Sequence, residues 1–242
     1  MPPFYQPHLR SDMGRVGLRW QDESVSENLI IDDGATRWSS DERGRMPLLV
    51  LLHGYGADEH DLFGLIPHLP EGIAVASVAA PLAPPWPMPG RSWYPIEGLE
   101  GRSAHAVTAA AEAFLRWLDA TAGDAPSVAL LGFSQGAAVS LQALRLAPER
   151  FGAVVALSGY ATPGDLPHDE TLAELRPPVF WGRGTNDDVI PPELIDHTAQ
   201  WLPDHSELSG RVYTGLTHSI SEDELADVRL FLTKWLDGLE AS

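Results

Sequence analysis

Ser134 lies at the centre of a Gly-Phe-Ser-Gln-Gly sequence, residues 132–136, which follows an apolar segment and precedes an alanine-rich one. A serine on a sharp strand-to-helix turn needs glycine two residues before and after it, because side chains there would collide across the turn. Such a turn projects the serine hydroxyl away from the sheet and leaves the backbone N–H of Gln135 facing the position of a developing oxyanion. The spacing therefore predicts that Ser134 is a nucleophile.

A nucleophilic serine needs a histidine base within hydrogen-bond reach, and the base needs an anion that fixes its tautomer. In chains with this turn the order is serine, then aspartate or glutamate, then histidine, with the acid on a turn after a later strand. Asp187 and Asp188 both satisfy that order, and the residues alone leave the choice open. Among nine histidines His218 fits best, because it follows both aspartates and lies between the last predicted strand and the last predicted helix. His197 and His205 are the alternatives.

A second glycine-rich turn, His-Gly-Tyr-Gly at residues 53–56, follows the continuous apolar segment 47–52. A strand that ends in such a turn places free backbone N–H groups at the carboxyl edge of a sheet, where an oxyanion can be bound. An ordinary strand-to-helix loop is the alternative interpretation. The acidic segment 58–61 could suggest a metal site, but carboxylates are typical of the first turn of a helix, so we predict no metal there.

The elements that must position these residues alternate along the chain. Short apolar segments predict buried strands, and segments with apolar residues at a period of 3.6 predict helices. The predicted strands are 47–52, 73–79, 127–131, 152–157, 177–181 and 211–214, and the predicted helices include 103–119, 137–146, 191–202 and 224–236. Apolar strands between helices predict an α/β fold with a mostly parallel central sheet and helices on both faces.

The N-terminal part of the chain follows a different pattern. Residues 1–45 are polar and rich in glycine, aspartate and arginine, with short alternating stretches at 16–20 and 29–31. We predict a β-hairpin or edge strands there. Because α/β proteins of 242 residues with 44% apolar content often form one domain, we expect a single domain over residues 1–242.

Aromatic residues near the predicted carboxyl edge of the sheet could form a substrate pocket. The proline-dense segment 81–95 excludes a regular helix or a central strand and predicts a rigid surface loop that carries three of them. The candidates are Trp86, Trp93, Tyr94, Tyr160 and Trp181. We predict that they line the pocket, the alternative being that they cover the core.

The amino-acid composition limits the classes of binding partner that we expect. The formal net charge of -18 makes binding to nucleic acid or to an anionic membrane surface electrostatically unfavourable, so we predict neither. The absence of cysteine excludes disulfides, a cysteine nucleophile and thiolate metal ligands. Residues 1–20 contain no apolar core segment, so we expect neither a signal peptide nor a membrane anchor, and a cytoplasmic location is the default.

Five stretches together resemble one known family, and they occur in the family's order. They are His-Gly-Tyr-Gly at 53–56, Gly-Phe-Ser-Gln-Gly at 132–136, Leu-Ser-Gly-Tyr at 157–160, Asp-x-Val-Ile-Pro at 187–191 and Thr-His-Ser at 217–219. In these stretches the chain is similar to the phospholipase/carboxylesterase family, the small α/β-hydrolases that include acyl-protein thioesterases. The resemblance covers about residues 47–236.

The resemblance implies an α/β-hydrolase fold without a large lid domain and a reaction without a cofactor. It implies that Ser134 is the nucleophile, that Asp187 rather than its neighbour is the orienting acid, and that His218 is the general base. It also implies that the backbone N–H groups of Tyr55 and Gln135 form the oxyanion hole. Two departures concern the pocket: similar proteins commonly carry Leu in place of Tyr55, and Trp-Phe-Asp in place of the Trp-Tyr-Pro at residues 93–95.

We therefore expect a serine hydrolase that cleaves short to medium acyl esters or thioesters through an acyl-enzyme intermediate. Peptidase, lactonase and cofactor-free perhydrolase activities use the same three residues and remain alternatives. A non-catalytic binding module on the same fold is an alternative from another class, because fold alone does not imply activity. The expected partner is a small acyl substrate, and the sequence leaves a homodimer open.

Overall fold

The computed structural model describes residues 29–41, 44–96 and 103–241. In these residues the strands are β1 (Arg37–Trp38), β2 (Leu48–Leu52), β3 (Ala74–Val78), β4 (Val128–Phe133), β5 (Ala153–Leu157), β6 (Pro178–Gly184) and β7 (Glu207–Tyr213). They form one sheet in the order β1-β3-β2-β4-β5-β6-β7. Strand β1 pairs antiparallel with β3, and every other pair is parallel, which confirms the mostly parallel sheet.

The α-helices of the described residues are α1 (Ala104–Ala122), α2 (Gln135–Leu146), α3 (Asp169–Leu175), α4 (Pro192–His205) and α5 (Glu222–Glu240). Side chains of α1, α2, α3 and α4 share one apolar core with one face of the sheet. Helix α5 and the 3-10 helix Leu62–His68 cover the other face. Because both faces are covered, the central strands β2, β3 and β5 are buried along their whole length. This arrangement is the α/β-hydrolase fold.

The register of the sheet aligns the ends of its central strands. Leu52 pairs with Gly132, Phe133 pairs with Leu157, and Leu157 pairs with Gly182. The chain therefore leaves β2, β4, β5 and β6 at the same edge. Loops that follow parallel strands at one edge can meet there, and the candidate site lies at this edge.

The N-terminal prediction holds only in part. The stretch 16–20 lies outside the described residues. Residues 29–31 form no strand, although Leu29 and Ile31 are buried against the core. The edge strand is β1, two residues long, whose Arg37 and Trp38 pair with Ser77 and Ala76. An alternating pattern becomes a strand only where a neighbouring strand edge is available, and β3 offers its edge to β1 instead.

Glu224 is a fully buried carboxyl in the first turn of α5. Its own N–H donates to Ser221 Oγ over 3.1 Å, which caps the helix. Its carboxylate lies against Gly182 of β6, where an added Cβ would overlap Oε1, and neither oxygen has a hydrogen-bond partner in the described part of the chain. Burial raises the pKa of Glu224 to about 7, the nearby N–H of Ser221 opposes this, and the charge of Asp227 adds to it.

The substitution Glu224→Gln is expected to change how stability depends on pH. A carboxyl whose pKa is higher in the folded than in the unfolded state stabilises the fold at pH values below its unfolded-state pKa. That stabilisation is lost as the pH rises through its folded-state pKa. The free energy of unfolding of the variant should therefore rise relative to wild type between pH 4.5 and about 7, by at most about 3 kcal/mol. Urea denaturation at several pH values measures the difference.

The matched control is Glu222→Gln, which removes an exposed carboxyl from the same helical turn. Its unfolding free energy should follow that of wild type across this pH range. A difference that grows equally with pH in both variants would contradict the assignment to Glu224.

Candidate active site

Ser134 forms the whole connection between β4 and α2. Its φ of 54° and ψ of -114° are unfavourable for a residue with a side chain. Three backbone bonds hold it: its N–H donates to Leu157 O over 2.9 Å, and its carbonyl accepts from Ala137 N and Ala138 N at 3.1 Å each. The surroundings therefore impose a strained conformation that directs the hydroxyl away from the sheet.

The three residues of the predicted catalytic set lie together. Ser134 Oγ is 2.8 Å from His218 Nε2, and His218 Nδ1 is 2.8 Å from Asp187 Oδ2. Because a carboxylate only accepts, Nδ1 carries the proton and Nε2 is left to accept from the serine hydroxyl. The histidine is thus oriented as a base toward Ser134.

The acid is distinguished from its neighbour by burial and by hydrogen bonds. The Asp187 side chain is 1% exposed, whereas Asp188 is exposed. Asp187 Oδ1 also accepts from the N–H groups of Val189 at 3.0 Å and Ile190 at 3.3 Å. Burial acts to raise the pKa of Asp187, but the hydrogen bonds from His218 and these two amides outweigh it and hold the pKa below its usual value. Asp187 is therefore a charged group in a fixed orientation.

The alternative histidines lie elsewhere. His197 and His205 are both in α4, where His205 Nδ1 donates to Trp201 O over 2.8 Å and the two rings stack. In contrast, the His218 ring packs against Phe133, with ring centroids 5.0 Å apart. Only His218, of the three considered, makes a hydrogen bond with Ser134 in the described part of the chain.

The loops that carry acid and base are bonded to each other. Thr185 N donates to Tyr213 O over 3.0 Å, Asn186 N donates to Leu216 O over 2.9 Å, and Gly215 N donates to Thr185 Oγ1 over 2.8 Å. These bonds extend the pairing of β6 with β7 beyond the sheet. The distance between acid and base is therefore set by two adjacent strands and their connected loops.

A cavity of about 220 Å³ opens beside Ser134 and His218. Tyr55 and Gln135 line it, and their backbone N–H groups form no hydrogen bond within the described residues. Gln135 is the first residue of α2, so its N–H is one of those that a helix leaves without an internal partner. Both residues therefore border the cavity with backbone donors that form no hydrogen bond in the described part of the chain.

Two of the five predicted pocket aromatics line the cavity. Tyr94 and Tyr160 are both buried, and their hydroxyl oxygens lie 2.9 Å apart. The structure does not place Trp86, Trp93 or Trp181 there. Trp86 is 92% exposed on the proline-rich loop. Trp93 and Trp181 are buried in the core, and the indole Nε1 of each donates to a backbone carbonyl. For these three the pocket prediction is corrected.

Five apolar lining residues were absent from the sequence prediction. They are Ala57, Ile96, Phe133, Val189 and Ile190. Phe133 directly precedes the serine, and Val189 and Ile190 follow the acid within three positions. Adjacency in sequence to the predicted catalytic residues was the signal available for these three, because a short turn keeps neighbours of a site residue near the cavity.

The acidic segment after the second glycine-rich turn is the one group of potential metal ligands found in the described residues. Ligand atoms of Asp58, Glu59 and His60 lie within 4.8 Å of one another. Asp58 Oδ1 accepts from His60 N over 2.9 Å and lies 3.2 Å from His60 Nδ1. These residues lie in a turn before a 3-10 helix, not in the first turn of an α-helix as predicted. The prediction that this segment binds no metal stays a prediction.

The chain belongs to the phospholipase/carboxylesterase family, whose model matches residues 37–236. It is 38% identical to acyl-protein thioesterase 1 of Saccharomyces cerevisiae over 111 residues, 44% of this chain and 49% of that protein. The acyl-protein thioesterase 1 of Debaryomyces hansenii is 37% identical over 111 residues, 45% of this chain and 48% of that protein. The chain thus spans about half the length of the curated relatives it matches.

Solved structures show the same fold. The crystal structure of esterase PE8 superposes with a TM-score of 0.64 and 31% identity, covering 78% of this chain and 92% of that one. The Bacillus cereus carboxylesterase superposes with a TM-score of 0.73 over 89% of this chain and 99% of that one, and its 15% identity shows the fold alone. Among the described helices, none has both the length and the apolar composition needed to cross a membrane.

The geometry predicts that Ser134 reacts with a fluorophosphonate probe and that this reactivity depends on Asp187. In Asp187→Asn the histidine loses the anion that selects its tautomer, so the rate of labelling should fall by roughly three to four orders of magnitude. Gel-based labelling over time, with the modified residue identified by mass spectrometry, measures the rate.

The neighbouring variant Asp188→Asn makes the same chemical change at an exposed position and should label within about twofold of wild type, as expected for a surface substitution. Equal rates for the two variants, or labelling at another serine, would contradict the assignment.

Proposed function

We propose that this protein is a serine hydrolase that cleaves short acyl esters or thioesters through an acyl-enzyme intermediate. The observation that carries the proposal is the continuous chain of two 2.8 Å hydrogen bonds from Ser134 to His218 and from His218 to Asp187. The chain of bonds begins at a cavity with two available backbone donors. A serine, a base and an orienting anion in this order form the arrangement used for nucleophilic acyl transfer.

Acylation begins when Ser134 Oγ attacks the carbonyl carbon of the substrate. The hydroxyl proton passes to His218 Nε2, and Asp187 stabilises the imidazolium that forms. The carbonyl π electrons move to its oxygen, and the N–H groups of Tyr55 and Gln135 bind the resulting oxyanion. Each residue thus has one role that follows from its position.

The tetrahedral intermediate collapses when the carbonyl re-forms and the bond to the leaving oxygen or sulfur breaks. His218 Nε2 returns its proton to the leaving alcohol or thiol. A water molecule then attacks the acyl-Ser134 ester with the same base, which releases the carboxylic acid and restores the serine hydroxyl.

The size of the cavity supports a short acyl group. Its volume is about 220 Å³, below the range of about 300–1,000 Å³ typical of sites for larger ligands. Its walls are mainly apolar, as suits an alkyl chain, and Tyr94 and Tyr160 bound it with buried side chains. Similarity to the acyl-protein thioesterases supports the proposal that thioesters are also substrates.

The alternative of a non-catalytic binding module explains the same fold but gives no reason for the strained serine. A residue at φ 54° is costly, and such strain is typically retained where function requires it. The buried Asp187 hydrogen-bonded to His218 has likewise no role in a module that only binds. We therefore favour the enzyme.

The variant Ser134→Ala should keep the fold and lose turnover of p-nitrophenyl acetate, because it deletes only the attacking oxygen. The loss should reach at least about 10³-fold in kcat, with an unchanged circular dichroism spectrum. Ser209→Ala, a partly exposed position on β7, serves as the control and should hydrolyse the ester like wild type. Full activity in the Ser134 variant would disprove the mechanism.

A panel of p-nitrophenyl esters from acetyl to decanoyl, with the matching thioesters, tests the substrate class. We expect kcat/KM to be highest for the acetyl to butyryl members and to fall by at least about tenfold at decanoyl, because the longer chain exceeds the cavity. A kcat/KM that rises steadily through decanoyl would exclude the short-chain assignment while leaving the serine mechanism intact.

A further inference from the structure

The peptide bond between Gly54 and Tyr55 has a fixed orientation. The Gly54 carbonyl oxygen accepts from His53 Nδ1 over 2.7 Å and from Ala57 N over 3.3 Å. In a planar trans peptide the N–H points opposite to the carbonyl. The two bonds to the Gly54 oxygen therefore direct the N–H of Tyr55 away from them and toward the cavity that Tyr55 lines.

His53 is held in the state needed for this bond. Its ring is fully buried, and its Nε2 accepts from Ala80 N over 3.2 Å, so Nδ1 is the nitrogen that carries the proton. Burial lowers the pKa of His53 more than the Gly54 carbonyl and the nearby carboxylates raise it, which favours the neutral ring. The tautomer is thereby matched to an acceptor at Gly54.

Trp93 connects this turn to the other donor of the oxyanion hole. Its indole Nε1 donates to the His53 carbonyl over 2.9 Å, and its backbone N donates to Gln135 Oε1 over 2.7 Å. The side chain is fully buried and packs against His53 and edge-on against Phe114, with centroid distances of 5.7 and 6.4 Å. One residue is therefore bonded both to the turn before Tyr55 and to the side chain of Gln135.

The Gln135 side chain completes the connection. Its Nε2 donates to Tyr94 O over 2.7 Å and to Ser92 Oγ over 3.2 Å, while Oε1 accepts from Trp93 N. The amide is therefore held from both ends, and its carbon chain leads directly to the backbone N–H at the start of α2. Rotation of Gln135 would break all three bonds.

We propose that Trp93 is a positioning residue that sets the separation of the two oxyanion-hole donors through its bonds to His53 and Gln135. The inference rests on the proposed hydrolase function. Two donors bind a developing oxyanion fully only when both lie at hydrogen-bond distance from it. Loss of the indole bond frees the turn that carries Tyr55, so the transition state is stabilised less while binding of the substrate's acyl chain is unaffected.

The test is Trp93→Phe, which deletes the indole N–H and keeps an aromatic ring to pack against Phe114. With p-nitrophenyl acetate, kcat should fall by at least about tenfold while KM stays within about twofold, because one donor of the hole is misplaced. The inhibition constant of a methyl trifluoromethyl ketone, whose adduct carries an oxyanion, should rise by a similar factor.

The matched control is Trp117→Phe. Trp117 is buried in the same aromatic cluster, stacks on Phe114, and donates its Nε1 to Asp33 Oδ1 over 3.3 Å at a distance from the hole. This variant also loses an indole hydrogen bond and the same part of a buried ring, so its melting temperature should fall as well, while its kcat stays at the wild-type value.

Gln135→Met is the second variant, because it keeps the backbone donor and removes the side-chain acceptor of Trp93 N, together with the Nε2 donor to Tyr94 O and Ser92 Oγ. The same loss of kcat without a change in KM supports the proposal even if Trp93→Phe fails to fold. Unchanged kcat in a folded Trp93→Phe, or equal losses in the two tryptophan variants, overturns it. If wild type itself hydrolyses no ester, the proposed function fails instead, so the two failures are distinguishable.

Discussion

The close approach of α2 to the end of β2 is the contact on which the site depends. A Cβ on Gly136 would overlap the carbonyl oxygen of Leu52, and one on Gly132 would overlap that of Gly136. Because only glycine fits at both positions, the chain can turn from β4 into α2 within one residue. Ser134 then takes its strained conformation, which on its own would cost about 1–3 kcal/mol and which the packed surroundings maintain.

The parallel sheet positions the residues of the candidate site relative to that contact. The proposed hole donors follow the adjacent strands β2 and β4, and the proposed acid and base follow the adjacent strands β6 and β7. Each pair is thus held by neighbours about 4.8 Å apart in the sheet, and the hydrogen bond between Ser134 and His218 joins the two pairs. A carboxylate kept charged beneath the histidine is tolerated because two backbone amides and the imidazole all donate to it.

Local sequence patterns predicted the alternation of strands and helices. Ser134 and His218, which the spacing selected, do lie together with one of the two candidate aspartates, though the catalytic roles stay predictions. The choice between Asp187 and Asp188 required the family resemblance, because both have nearly the same position along the chain, and they differ in burial and hydrogen bonding instead. Side-chain direction was not predictable. Trp93 and Tyr94 are adjacent on an irregular, proline-rich loop, where no periodicity indicates which side chain faces the cavity and which faces the core.

The different orientations of Trp93 and Tyr94 connect the wall of the cavity to the proposed oxyanion hole. Trp93 bonds the turn behind the oxyanion hole, Tyr94 forms part of the cavity wall, and the single amide of Gln135 holds the backbone of both. The wall and the turn behind the proposed hole are therefore bonded to the same side chain. Because the departures from the usual family pattern fall at Tyr55 and at residues 93–95, they lie on both sides of this connection. The wall of the cavity and the alignment of the proposed oxyanion hole therefore share one structural connection, the side-chain amide of Gln135.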